Sequence, residues 1–380
     1  MDTACAAETV SSDSARQLRL CAQGLTWPAA DARPAVIVAA LCGVQAQDMP
    51  GAGLSLWARA EDLRPQSLDL AIRDRQVVRT WAMRGTLHLL AAPDVRWVLA
   101  VLAPALTKLS ARQTQLGLDQ QTFGRALAIL REALHEGQER TRAELGAALR
   151  AHGVAPDGQR LPHILGYMSV RGVLCQGPPR GAEPTYVLLD DWLPPDPPRP
   201  SLDRVDALSQ LARRYLAAHG PADLHDFAWW SGLPLSDART AWDLVQPEVV
   251  TITTAGKHYA LLASERDRWS TTSTRMSRPS AHLLPGFDSY VLGYKDRRLT
   301  LDPAYVKRVN AGGGMLKPTV VVDGRVVGVW SRAIGHYRLD LTVTPFERLA
   351  ADVETAIKAE AARLGGFLER EIELTVTHPE

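Results

Sequence analysis

Two periods of apolar spacing, one helical and one alternating, follow each other in a repeating order along this chain. Thr141-Arg142-Ala143-Glu144 is a capping box that opens a helix running to about His152, with Gly153 as its stop. Leu161 to Arg171 sets Leu161, Ile164, Leu165 and Met168 on one face and predicts a second helix. Gly172 then releases a short strand, Val173 to Gln176, and a Gly/Pro loop, Gly177 to Pro184, leads to another, Thr185 to Leu189. Helix, turn, helix and two-stranded ribbon is the order of a winged helix.

The order recurs downstream. Leu202 to His219 is amphipathic, Pro221 is placed to open the next helix, Gly232 ends it, and Ser236 is expected to cap a further helix through Val245. Val249–Thr254 and His258–Leu262 flank a turn as a hairpin. A looser version is expected over residues 16 to 92, ending in the strand-like Thr86-Leu87-His88-Leu89-Leu90. In the last third, Pro318–Val322 and Arg325–Trp330 flank Asp323-Gly324, a two-residue turn between β-branched runs. Pro345 to Leu364 is then helical, and Glu371 to Thr377 is a closing strand of a mixed sheet expected to pack on the third unit.

An α+β protein follows, with boundaries set by composition. Residues 1–14 are Ala/Ser/Thr-rich and expected to be disordered. Residues 15–120 form a first winged-helix unit, 121–192 a second, 201–265 a third, and 266–380 a C-terminal β-rich region with hairpin and helix. Residues 193–200 hold five prolines in eight positions, a density that forbids helix and favours an extended linker.

At 380 residues the chain is too long for one ordinary core, and 46% hydrophobic with 22% charged residues is a soluble, globular composition. Net charge is +1, so no global field announces a polyanionic partner, but Lys295 to Arg338 carries nine basic against three acidic side chains. That strip suits phosphate binding or a solvated face. Cys5, Cys21, Cys42 and Cys175 lack metal-ligand spacing and read as reduced thiols of a cytosolic protein. No signal peptide or membrane span is expected. Gly312-Gly313-Gly314 is followed by Met and Leu, so it is no phosphate-binding loop, and His135-Glu136 lacks a second His at zincin spacing. No metal and no cofactor are therefore expected.

Three segments carry candidate chemistry. Gln45-Ala46-Gln47 follows the apolar run Pro34 to Val44 and precedes Asp48-Met49-Pro50-Gly51. On composition alone the pair is a polar helix end. If the helix has ended, i and i+2 share a face and two amides converge, fit to hold one water or substrate group but not to shuttle protons. In Trp81–Leu90, Arg84 could meet a phosphate beside His88, or the block could be core. Leu284 to Arg298 interleaves aromatics, glycines and bases, which suits a nucleic-acid backbone or a buried aromatic corner.

Together these blocks, with Leu301-Asp302-Pro303 and Lys317-Pro318-Thr319 through Gly328-Val329-Trp330, resemble the bacterial winged-helix DNA glycosylase family of AlkZ/YcaQ type, over about residues 16 to 375. The resemblance implies three tandem winged helices forming a concave clamp on DNA. It also implies a catalytic motif of Gln, an aliphatic residue, then Gln or Asp, here Gln45 and Gln47 about a small Ala46, in the Gln-x-Gln form of the AlkZ-like branch. The implied activity is monofunctional hydrolysis of the N-glycosidic bond of N7-alkylated purines, above all bulky antibiotic-derived guanine adducts or interstrand crosslinks, in self-resistance or repair. The implied partner is double-stranded DNA, bound by a cytoplasmic, nucleoid-associated monomer. Phosphate contacts are expected from Arg84, His88, Lys295, Arg297, Arg298 and Arg325, with the Asp323-Gly324 hairpin as a groove probe. The rival reading is a non-catalytic winged-helix regulator or an adduct-sequestering protein.

Overall fold

The computed structural model describes residues 8–26, 31, 33–193, 202–270, 279–335 and 337–377. The expected linker at 193–200 lies, apart from Leu193, outside the described residues.

One order of elements occurs three times: helix, short strand, two helices, then two antiparallel strands, the last of which also pairs with the short strand. In the first unit these are Pro34–Ala40, Val44–Gln45, Met49–Trp57, Ser67–Arg73, Val77–Trp81 and Leu87–Ala91. The second uses Gln120–Ala133, Arg140–Thr141, Arg142–Ala151, Arg160–Val170, Leu174–Gln176 and Thr185–Leu188. Its capping box forms as expected, Thr141 Oγ1 accepting from the Glu144 N–H at 3.2 Å and the Glu144 carboxylate from the Thr141 N–H at 2.6 Å. In the third unit Arg204–His219, Leu224–Ser231, Leu235–Val245, Val249–Thr254 and Lys257–Leu262 follow, and the short strand is a single bridge, Ala222 to Ala260. Here the caps differ from expectation. Asp223, not Pro221, opens the second helix in a capping box with Asp226, and Leu235–Val245 starts without a side-chain cap.

The first two units share a sheet. Arg79 pairs with Gln176 and joins the two ribbons edge to edge into six antiparallel strands. The helix Val95–Leu106 links these units in sequence and packs on Arg204–His219 of the third, with Val98, Leu99 and Leu102 in one core with Leu208, Leu211 and Tyr215.

Two expectations need correction. Residues 8–14 are ordered: Glu8–Thr9 runs parallel to Val249–Thr254, and Ser11 caps the helix Ser12–Ala22. Leu18 of that helix packs on Ile252, Tyr259 and Leu261 of the third unit's hairpin, while Leu20 shares a core with Ile37 and Leu56 of the first unit, so the helix is packed between the two. The C-terminal sheet is mixed as expected, in the order Ala281–Leu284, Thr319–Val322, Arg325–Ile334, Arg338–Pro345, Glu371–Val376, with only the last pair parallel. It packs on the first unit rather than the third: Leu284, Val320, Trp330 and Leu341 share a core with Ile37, Leu41, Leu56 and Trp57.

Candidate functional site

The helix after Pro34 stops at Ala40, four residues earlier than the apolar run suggests. Cys42 and Gly43 take positive φ (55° and 114°) and reverse the chain into the strand Val44–Gln45. A Cβ at Gly43 would also lie 2.7 Å from the Met83 side chain, so only glycine fits this turn. Past the glutamines, Asp48 caps the helix Met49–Trp57, its carboxylate accepting from the Gly51 N–H at 3.1 Å.

Ala46, between them, is fully buried and pinned on both sides. Its N–H donates to the Leu87 carbonyl at 2.8 Å, and its carbonyl accepts from Arg79 Nε at 2.9 Å. Arg79 Nη2 also reaches the Gln47 carbonyl at 3.4 Å. Held extended in this way, the two glutamines fall on one side, and Gln45 Nε2 donates to Gln47 Oε1 at 3.1 Å.

Arg84 sets the sense of that bond. Its Nη2 donates to Gln45 Oε1 at 2.7 Å and its Nη1 to the Trp230 carbonyl, also at 2.7 Å. A guanidinium only donates, so the Gln45 oxygen faces Arg84 and its NH2 faces Gln47. Gln47 is exposed, one lone pair of its Oε1 remains open, and among the described residues its Nε2 has no partner.

The surroundings are cationic. Burial, and then the charge of Arg297, lower the Arg84 pKa to about 10, so it stays protonated near neutrality. Arg297 is half-buried; its Nε has no partner, and burial lowers its pKa. Two further arginines complete the rim: Arg79, which sequence reasoning passed over, and Arg332 of the strand Arg325–Ile334, counted there as one of the nine bases of the Lys295–Arg338 strip. Burial lowers the pKa of each, and the Asp48 charge acts on both in the opposite direction. A lone charge inside an apolar strand, Val77-Val78-Arg79-Thr80-Trp81, was the available signal for Arg79.

The remaining expected contacts divide. His88 lies opposite Gln45 in register but is only 2% exposed. Its Nδ1 faces the Thr86 carbonyl at 2.9 Å, and burial, followed by the Arg84 charge, pushes its pKa down to about 3. A buried neutral imidazole offers no cation to a phosphate, so this expectation is corrected. Arg84 directs one N–H of each terminal nitrogen to a protein acceptor. Lys295 is exposed, and Arg298 is exposed but paired with Asp296 at 2.6 Å. Arg325 is exposed at the hairpin base, with no contact to the glutamines among the described residues. The Asp323-Gly324 turn is no groove probe: Asp323 accepts from the Ser280 N–H at 2.9 Å, and the Gly324 carbonyl accepts from Tyr290 Oη at 2.8 Å. Upstream of Lys295, the Leu284 block is the buried corner, with Asp288, Tyr290 and Tyr294 at most 1% exposed.

No group of His, Cys, Asp or Glu among the described residues could hold a metal ion, and no described helix is long and apolar enough to cross a membrane.

Comparison with known proteins gives a consistent answer. A family model described as DNA glycosylase AlkZ-like matches residues 38–367. The sequence is 31% identical over 353 residues to an interstrand DNA cross-link repair glycosylase of Streptomyces sahachiroi, covering 87% of this chain and 90% of that protein. The fold matches the solved Streptomyces sahachiroi DNA glycosylase AlkZ with a TM-score of 0.83 at 28% identity, over 97% of this chain and all of that one.

Proposed function

The chain belongs to the AlkZ-like DNA glycosylase family, and from that premise we propose that it hydrolyses the N-glycosidic bond of N7-alkylated purines in double-stranded DNA, using Gln47 to place the attacking water. Bulky guanine adducts and interstrand crosslinks are its substrates, in keeping with the cross-link repair glycosylase it is similar to. Its role is self-resistance or repair, as a monomer acting on the nucleoid in the cytoplasm.

The observation that carries this reading is the oriented amide pair, Gln45 Nε2 to Gln47 Oε1, with no titrating side chain inside it. Alkylation at N7 makes the purine cationic, so the C1′–N9 bond breaks with its electron pair going to the base and no acid is needed. The sugar is left as an oxocarbenium ion. Water adds to C1′ and releases its proton to solvent. Gln47 Oε1, with its free lone pair, accepts a hydrogen bond from that water and orients it; positioning of this kind supplies roughly several kcal/mol without general-base strength. No lysine stands between Pro34 and Arg64, which argues against a Schiff-base lyase step.

Arg297 is the strongest candidate phosphate contact, because its buried, unpartnered Nε calls for an anion. Lys295, Arg298, Arg325 and Arg332 extend the cationic rim. The threefold element order supports three winged-helix units, at 34–91, 120–188 and 204–262, clamping DNA, with 281–376 as the β-rich region. Membership of an enzyme family removes the support for a non-catalytic regulator.

The test is a duplex carrying one N7-alkylguanine, incubated with excess protein and then heated in mild base. Breaks at the adduct are expected. Intact strands would refute glycosylase action on that adduct.

A further inference from the structure

We propose that Arg84 is a positioning residue through which the third unit sets the polarity of the amide pair. The inference rests on the reading of Gln45 and Gln47 as the reaction centre and adds a part to it.

An amide side chain fits its site almost equally well in two orientations that exchange oxygen and nitrogen. If Gln45 were flipped, its oxygen would accept from Gln47 Nε2, and Gln47 would turn its own oxygen elsewhere. The water that Gln47 orients would then have no fixed place. Among the described residues one neighbour selects the orientation: Arg84, 2.7 Å from Gln45 Oε1. His88, across the strand pair, is neutral and turned to the Thr86 carbonyl. Arg79 holds the backbone carbonyls of Ala46 and Gln47 and leaves the side chains alone.

Arg84 is held in turn by the third unit. Its Nη1 donates to the Trp230 carbonyl, on the last turn of Leu224–Ser231, where carbonyls lack intrahelical donors and the dipole favours a cation. Trp230 is itself fixed in an aromatic cluster, 5.0 Å from Tyr215 and 5.5 Å from His219 between ring centroids. The approach is close because residue 232 is glycine: a Cβ there would lie 2.8 Å from the Arg84 nitrogen and 2.9 Å from its Cα, and its φ of +76° is one that other residues rarely take. Arg84 also has a positive φ, 58°, kept by this packing. A line of directional bonds therefore runs from the Trp230 carbonyl through Arg84 and Gln45 to Gln47.

The experiment is a double-mutant cycle on duplex DNA carrying an N7-methylguanine, read as single-turnover rate and as binding constant. Arg84→Asn keeps a residue that tolerates positive φ, and Arg84→Lys keeps the charge; melting curves establish that each is folded, and either alone suffices. Both are expected to lower the rate by roughly 10- to 100-fold with the binding constant nearly unchanged, the lysine variant less severely. Gly232→Ala is expected to slow the reaction in the same way. In a Gln45→Ala background the Arg84 substitutions should have little further effect. Effects that multiply, or a loss explained by weaker binding, would overturn the inference while leaving the amide pair as the centre. A parent-like rate for both Gln45→Ala and Gln47→Ala would instead reject the amide pair itself. An activity-independent measurement uses the Gln45 side-chain NH2 signals, identified by their disappearance in Gln45→Ala. They should shift in either Arg84 variant; unchanged signals would reject the positioning role.

Discussion

Gln45 donates to Gln47 across 3.1 Å, so the two side chains act as one oriented unit. Replacing Gln47 by alanine is expected to lower single-turnover base release by roughly 100-fold or more, while DNA binding persists. Equal rates for variant and parent would remove Gln47 from the mechanism.

A centre built from amides has no pH optimum of its own. The imidazole opposite Gln45, that of His88, stays neutral down to about pH 3. Single-turnover release of an N7-alkylguanine should therefore be flat from about pH 6 to 9 at fixed ionic strength. A bell-shaped profile would point to an acid or base outside the pair.

Stability behaves differently. His88 and His219 are both buried, burial being the main cause, and both pKa values fall from 6.5 to about 3. The unfolded chain then binds more protons than the folded one between these values, so stability is complete above about pH 6.5 and is lost as pH falls. At about pH 4.5 each histidine should cost about 3 kcal/mol. Denaturant titrations from neutral to acid pH measure this, and His219→Gln should reduce the slope. A slope unaffected by replacing either histidine would show that neither is buried in its neutral form.

Arg59 and Asp288 meet in the core, Nη1 and Nη2 each 2.8 Å from a carboxylate oxygen, and Ser55 Oγ donates to the same carboxylate at 2.7 Å. This pair fastens the first unit to the C-terminal region. Asp288→Ala leaves a buried guanidinium without its counter-charge and should cost about 3–5 kcal/mol. The double variant Arg59→Met/Asp288→Leu should lose less than either single one, as chemical denaturation will measure.

Two adjacent arginines should separate by salt dependence. Arg297 has an unpartnered Nε, whereas Arg298 is tied to Asp296. Arg297→Ala should weaken binding uniformly across sequences and reduce the slope of log K against log salt by about 1. Arg298→Ala should change that slope less. Equal slopes would contradict the assignment.

Local chemistry was legible wherever a segment answers to its own residues. The Thr141–Glu144 box, the αL stop at Gly232 and the Asp323-Gly324 hairpin all form where expected. Surroundings were less so. Whether Arg84 faces solvent or a Trp230 carbonyl depends on a helix 146 positions away. The seating of the C-terminal sheet on the first unit is fixed by which apolar faces meet, and hydrophobic burial is not directional. His88 and the hairpin turn carry the same lesson, because polar groups satisfied by internal partners look in sequence like groups waiting for a ligand.

The amino-terminal strand has a consequence in time. Ser12 lies beside Thr254, 242 positions further along, their hydroxyls 3.5 Å apart, and Glu8–Thr9 pairs with Val249–Thr254. On a translating ribosome, at about 5–20 residues per second, this segment waits roughly ten to fifty seconds for its mate. The whole of the first and second units is synthesised in that interval. A segment made long before its mate is thus among the last to dock, a strap drawn across the third unit once synthesis has passed it.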